Sequence, residues 1–221
     1  MKPFPQSLTV WCFFTVLAIS AVAQTPQATA SLPPSAPANP YGEIKGGSYS
    51  NDFIGFTMLV PNEWTRIDQE EQKALKGEGL EILRTGEVKT DAYVKKMSET
   101  GLNILLLVKK AVGSPKNATL TLTVIKQPTV YAPRILADAT KVALLKHPNN
   151  TLIQDTVVEE IGGKSFGGFQ IDMELTGEIT HMKFFVTMVG NYSLLVSMSY
   201  SDADSFKTMD LSLRSIKFRS K

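Results

Sequence analysis

The chain has 221 residues, of which 43% are hydrophobic and 20% charged, and a net charge of +2. This is the composition of an ordinary globular protein, with room for one domain or two small ones. Lys and Arg are spread along the chain and form no run, so no nucleic acid or anionic membrane surface is expected as a partner.

Residues 1–23 carry Lys2, an apolar run from Leu8 to Ile19 and a small-residue end at Ala21-Val22-Ala23. That is the three-part pattern of a cleavable secretory signal, with the cut near Ala23/Gln24. The apolar run is shorter than the roughly 20 residues that span a bilayer. The expectation is therefore a periplasmic or secreted protein with no integral membrane segment after cleavage. The single cysteine, Cys12, lies inside the run, so the mature chain is expected to have no thiol and no disulfide.

Residues 24–47 are rich in Pro, Ala and Ser, with prolines at Pro26, Pro33, Pro34, Pro37 and Pro40. Proline removes the backbone donors that helix and sheet need, so the segment is expected to be a disordered tether. A folded domain is expected over 48–221, entered through the motif YSNDFIGFTMLVPNEW at Tyr49–Trp64.

In that motif Phe56, Met58 and Val60 alternate with Gly55, Thr57 and Leu59, as in a strand. Pro61-Asn62 ends it, and Trp64 is expected to anchor its exit in the core. Arg66–Arg84 is helical in tendency, with Gly77 and Gly79 weakening its centre enough to predict a broken helix. Thr90–Glu99 is a second helical candidate. Ile104–Val108 reads as a strand buried on both faces. Ala118–Ile125, with Thr and apolar residues alternating, reads as its hairpin partner across Gly113-Ser114-Pro115.

The best helix spans Arg134–Lys146, with Pro133 at its first turn and Ile135, Ala139, Val142 and Leu145 as the predicted apolar face, Leu136 and Ala143 beside them. Four strands follow at about 152–161, 165–175, 179–189 and 192–200, separated by Gly162-Gly163, Gly177-Glu178 and Gly190-Asn191. Asp202–Leu213 closes the chain as a helix capped by Ser201 or Asp202.

A two-residue loop at Gly177-Glu178 would set Leu175 opposite Thr180, Glu174 opposite His181 and Asp172 opposite Lys183. A three-residue turn at Val189–Asn191, with Asn191 left-handed, would set Val186 opposite Leu194 and Phe184 opposite Val196.

Asp172, Glu174, His181 and Lys183 are the one compact ionisable group and the weak candidates for binding. Their plainer reading is cross-strand ion pairs on a partly solvated sheet face. His147 and His181 are the only histidines, too few for a multi-histidine metal site, so neither metal nor cofactor is expected. Gly163-Lys164-Ser165 ends like a phosphate-binding loop, but Val158 stands where the first glycine must be. No Gly-x-Ser-x-Gly or Ser/His/Asp set is present, so no catalytic residue is named and no enzyme is expected. Asn117, Asn149 and Asn191 head glycosylation-type triplets at predicted turns.

The ordered set resembles the PsbP/Mog1-like family, including its DcrB-type bacterial relatives. The resemblance rests on Gly55-Phe56 with Pro61–Trp64, on Gly162-Gly163 and on the Ser201–Phe218 ending. It implies an α+β fold, an α/β/α sandwich with a mainly antiparallel sheet, covering about 48–219. It also implies accessory or binding proteins that are mostly not enzymes, and supplies no catalytic residue. The functional expectation is an exported, non-catalytic accessory protein that recognises a protein partner in the periplasm or cell envelope. The alternative is a carrier for a small apolar ligand, on Met173, Met182, Phe184, Met188 and Met198. A hydrolase depending on His181 comes third.

Overall fold

The computed structural model describes residues 39–82, 100–175 and 177–219. The predicted leader, most of the predicted tether and the Thr90–Glu99 helix lie outside them. Chain order is β1 (Glu43–Lys45), β2 (Ser48–Asn51), β3 (Phe56–Leu59), β4 (Thr65–Arg66), α1 (Gln69–Ile82), β5 (Leu102–Val108), β6 (Thr119–Lys126) and α2 (Pro133–Leu144). Then come β7 (Asn150–Ile161), β8 (Lys164–Leu175), β9 (Glu178–Val189), β10 (Tyr192–Tyr200), α3 (Ala203–Arg214) and β11 (Lys217–Phe218). The protein is α+β, and the strand pairs among the described residues are antiparallel.

A seven-stranded sheet, ordered β4-β5-β6-β10-β9-β8-β7, forms the middle layer. On one face α2 packs Leu136, Ala137 and Leu144 against Phe169, Ile171, Met173, Met182, Phe184, Val186 and Leu195. Residues directly opposite in an antiparallel pair share a face. The pairs Leu106↔Thr121 and Ser197↔Phe184 therefore put Leu106 on the α2 side. There Leu106 and Val108 meet Ile67 and Leu75, which flank and enter α1.

The other face carries a second, four-stranded sheet, β1-β2-β3-β11, together with α3. Tyr49, Phe56, Met58, Met209, Leu213 and Ile216 meet Leu120, Leu122, Val196, Met198 and Phe185 in that layer. The predicted sandwich is thus enriched on one side by a small sheet. Of its strands, the sequence patterning showed only β3. β1 lies inside the segment 24–47 read as tether.

The four long strands match their predicted spans closely, and three glycine turns separate them. Gly162 and Gly163 form the β7–β8 turn with φ of 59° and 75°, a conformation glycine enters without steric penalty. The β8–β9 turn closes one residue earlier than predicted: Leu175 faces Glu178, so Asp172 faces His181, Glu174 faces Ile179 and Lys183 faces Gln170. At β9–β10 the left-handed residue is Gly190 (φ 59°), not Asn191. The turn then holds two residues, and Val186 faces Leu195 while Phe185 faces Val196.

Helix α1 runs unbroken through Gly77 and Gly79. Helix α2 buries Leu136, Ala137, Thr140 and Leu144, while Ile135 and Val142 are exposed. The predicted apolar face is rotated: Gly167 of β8 lies beneath the helix, where an added Cβ would stand 2.5 Å from the Pro133 carbonyl oxygen and 2.8 Å from the Ala137 Cβ. That close approach fixes which side of α2 meets the sheet. Trp64 is half-buried against the core, and Tyr49 and Phe56 are the fully enclosed aromatics of the entry motif.

Candidate functional site

Three of the four predicted site residues converge on the α3 side of the sheet. Asp172 on β8 and His181 on β9 are direct cross-strand partners, and Nδ1 of His181 lies 2.7 Å from Oδ1 of Asp172. The His181 ring sits 5.4 Å from the ring of Tyr200, which in turn lies 4.9 Å from Phe206 of α3. Burial, and then the charge of Asp172, push the Tyr200 phenol above its ordinary value. Lys183 places its ammonium over Phe185 and Phe206, 5.3 and 5.2 Å from their centroids. This is cation–π geometry and not the predicted pairing with Asp172. Glu174 stands apart and exposed near the strand end, opposite Ile179.

The arrangement is a carboxylate–imidazole pair backed by an aromatic stack. The imidazole is 39% exposed and the carboxylate 19%, so the pair contributes about 0.2–1 kcal/mol to folding. No Ser, Thr or Cys hydrogen-bonds His181 among the described residues. Nor do three or more His, Cys, Asp or Glu side chains gather as a metal site among them.

The methionine and phenylalanine set proposed for an apolar ligand divides between two layers. Met173, Met182 and Phe184 are buried under α2, with Met188 at their margin, while Met198 packs in the opposite layer. Of the glycosylation-type triplets, Asn117 is buried, and its amide donates to the Lys110 and Ala111 carbonyls. Asn191 is exposed, but Ser193 of its triplet is buried. Only Asn149 heads a triplet with both ends exposed.

A feature the sequence reading missed is the β7 edge of the large sheet. Among the described residues β7 is terminal in the strand order. It exposes Leu152 (39%), Ile153 (51%), Val157 (41%) and Val158 (50%). Its register against β8 shifts twice, between Leu152 and Gln154 and between Gln154 and Val157. At the second shift the ammonium of Lys141 on α2 bonds Asp155, Thr156 and Asp138. Bonds from Thr156 and Lys141 hold the Asp138 carboxyl below the usual carboxylate range. For Lys141, burial opposes the charge, but the bonds to Asp155 and Asp138 outweigh it and raise its pKa. The signal available in the sequence was the non-alternating run Leu152-Ile153 and Val157-Val158, which a half-buried strand does not need.

No family model matches the chain, and no curated protein matches its sequence. Solved structures with similarity include one from Bacteroides thetaiotaomicron VPI-5482, at 13% identity and TM-score 0.41, covering 80% of this chain and 50% of that one. This chain therefore spans half the length of that protein. LpqN, described as involved in cell envelope biogenesis of Mycobacterium tuberculosis, is similar at 12% identity and TM-score 0.45, over 75% of this chain and 83% of its own. The cyanobacterial PsbP (CyanoP) of Synechocystis sp. PCC 6803 is similar at 12% identity and TM-score 0.49, over 82% of this chain and 100% of its own. These are likenesses of fold at low identity and carry no residue role to this chain. The Mog1- and DcrB-type likeness rests on the sequence motifs alone.

Proposed function

We propose that the protein is an exported, non-catalytic accessory protein that recognises a protein partner in the periplasm or cell envelope. The observation that carries this reading is the apolar free edge: Leu152, Ile153, Val157 and Val158 on a terminal strand, with Ile135 and Val142 exposed on α2, the helix packed over the same end of the sheet. A terminal strand offers unpaired backbone groups to an extended segment of another chain. Clustered exposed aliphatics beside it favour a macromolecular contact. The predicted leader supports the compartment, and the PsbP/Mog1-like motifs support an accessory role.

The test is site-specific photo-crosslinking from position 158 in the intact envelope of the source cells. A discrete crosslinked protein from position 158, absent when the crosslinker sits at Lys217 on the small sheet, supports the reading. The same smear from both positions, or no product, contradicts it.

A further inference from the structure

The β7–β8 turn fixes which backbone groups of β7 face outward. Gly162 and Gly163 both have positive φ, 59° and 75°, as the two central residues of a type I′ turn do. The residues that flank them, Ile161 and Lys164, are direct partners and exchange the hydrogen bonds that close such a turn. Bonded and non-bonded pairs then alternate along an antiparallel ladder. From Val157 to Ile161 the pairing with β8 runs without a register shift. Val157, Glu159 and Ile161 therefore turn their amides and carbonyls toward β8, while Val158 and Glu160 turn theirs away from it. Outside the ladder, no backbone group among the described residues bonds Val158 or Glu160.

Upstream, the edge is closed to a further strand. Both register shifts fall between Leu152 and Val157. There Thr156 is buried, and the Asp155 carboxylate is held by the Lys141 ammonium and the Thr156 amide. Bulges of this kind break the even spacing that an added strand must match. The stretch open to pairing is Val157–Ile161.

Side chains then select what pairs there. Ile161 is buried in the layer that holds α3, and Glu159 pairs with Arg214 of α3. By alternation Val158 and Glu160 project on the α2 face, where Ile135 is also exposed. The strand carries Asp155, Glu159 and Glu160 and no Lys or Arg. Lys141 neutralises Asp155, and Arg214 neutralises Glu159. Glu160 is exposed and has no ion pair among the described residues. A second copy of this chain would set two acidic strands side by side with no basic residue on either, and like charges opposite each other weaken a ladder.

On the reading of the β7 edge as the partner surface, on which this step rests, we infer that Val157–Ile161 accepts an extended, basic and aliphatic segment of another protein. That segment pairs its backbone with Val158 and Glu160. It sets aliphatic side chains beside Val157 and Val158 and a Lys or Arg opposite Glu160.

The test is an amide NMR titration of the full mature chain with two capped hexapeptides, Lys-Thr-Val-Val-Thr-Lys and Glu-Thr-Val-Val-Thr-Glu. Each reads the same in both directions, so either strand polarity can place its charged residue opposite Glu160. The basic peptide is expected to shift the Val158 and Glu160 amides and to bind at least about threefold more tightly than the acidic one, with the order reversed in Glu160→Lys. Equal binding of the two peptides at these amides, in wild type and variant alike, overturns the charge selection and leaves partner recognition by the edge standing. No shift at these amides with either peptide overturns strand addition at Val157–Ile161, and crosslinking from position 158 then decides partner recognition separately. Shifts of the same amides on concentrating the protein alone would assign the edge to a second copy and overturn the inference as well.

Discussion

The hydroxyl of Tyr49 lies 3.2 Å from the carbonyl oxygen of Ile104, a residue 55 positions away, and so joins the small sheet to the large one. It also reaches the Tyr41 carbonyl at 3.0 Å and accepts from the Asn51 amide at 2.8 Å. Burial pushes this phenol up to about 12. The unfolded chain's tyrosine ionises near pH 10 while the folded one keeps its proton, so the unfolded state binds fewer protons and stability falls as pH rises. The stabilisation is complete below about pH 10 and is lost towards pH 12, an effect on the order of 2–3 kcal/mol. The difference in urea-unfolding free energy between wild type and Tyr49→Phe should shrink across that window. A constant difference would contradict the burial argument.

Gly162 is held against the end of α3. A Cβ there would meet the Ile216 carbonyl oxygen at 2.4 Å, whereas Gly163 has nothing within 4 Å. Both have positive φ, so alanine at either carries a backbone strain of roughly 1–2 kcal/mol. Gly162→Ala adds a clash with main chain that has no rotamer to escape into. It should therefore lower the melting temperature clearly more than Gly163→Ala, and equal effects would show that Ile216 is free to move.

Asp202 caps α3, accepting from the Ser205 amide and hydroxyl at 2.7 Å each. Those bonds, the hydroxyl's first, hold its carboxyl below the usual range. A depressed carboxylate stabilises the fold above its unfolded pKa and loses that contribution as pH falls through the folded value. Asp202→Ala should cost about 0.5–2 kcal/mol at pH 7. The gap from wild type should narrow as pH falls below the ordinary carboxylate range of about 4, as read by chemical denaturation at pH 7 and at successively lower pH.

His181→Ala and Asp172→Asn should each change stability by no more than about 1 kcal/mol, because both partners are partly solvated. A loss of several kcal/mol in urea unfolding would show that the pair organises the β8–β9 end and is not a surface contact.

The strands from Asn150 to Tyr200 were legible because glycine turns punctuate them and Phe, Met and Ile alternate with polar residues. The register was less legible. Which turn residue takes positive φ decides it, and Gly190 outcompeted Asn191 because it has no Cβ to strain. The buried side of α2 was hidden because apolar residues lie on both sides of the helix, and the close approach at Gly167 selects one. β1, β2, β4 and β11 are two to four residues long, too short for any period to show. Of the candidate site, the parity placing Asp172, His181 and Lys183 on one face was readable. Their pairing was not, because a one-residue displacement of the turn exchanges Lys183 for His181 as the partner of Asp172. The β7 edge was invisible for a different reason: strand order is a tertiary property, and a hydrophobic run does not announce its place in the sheet.

Partner recognition by the apolar β7 edge is tested by affinity capture from envelope extract with the mature wild type beside Ile153→Glu/Val158→Glu, quantified by mass spectrometry. Both substitutions sit on half-exposed side chains and should leave the melting temperature within a few degrees. A protein enriched by the wild type should be depleted at least tenfold with the variant, about 1.4 kcal/mol or more of binding. Equal recovery by two equally folded baits would contradict recognition at this edge.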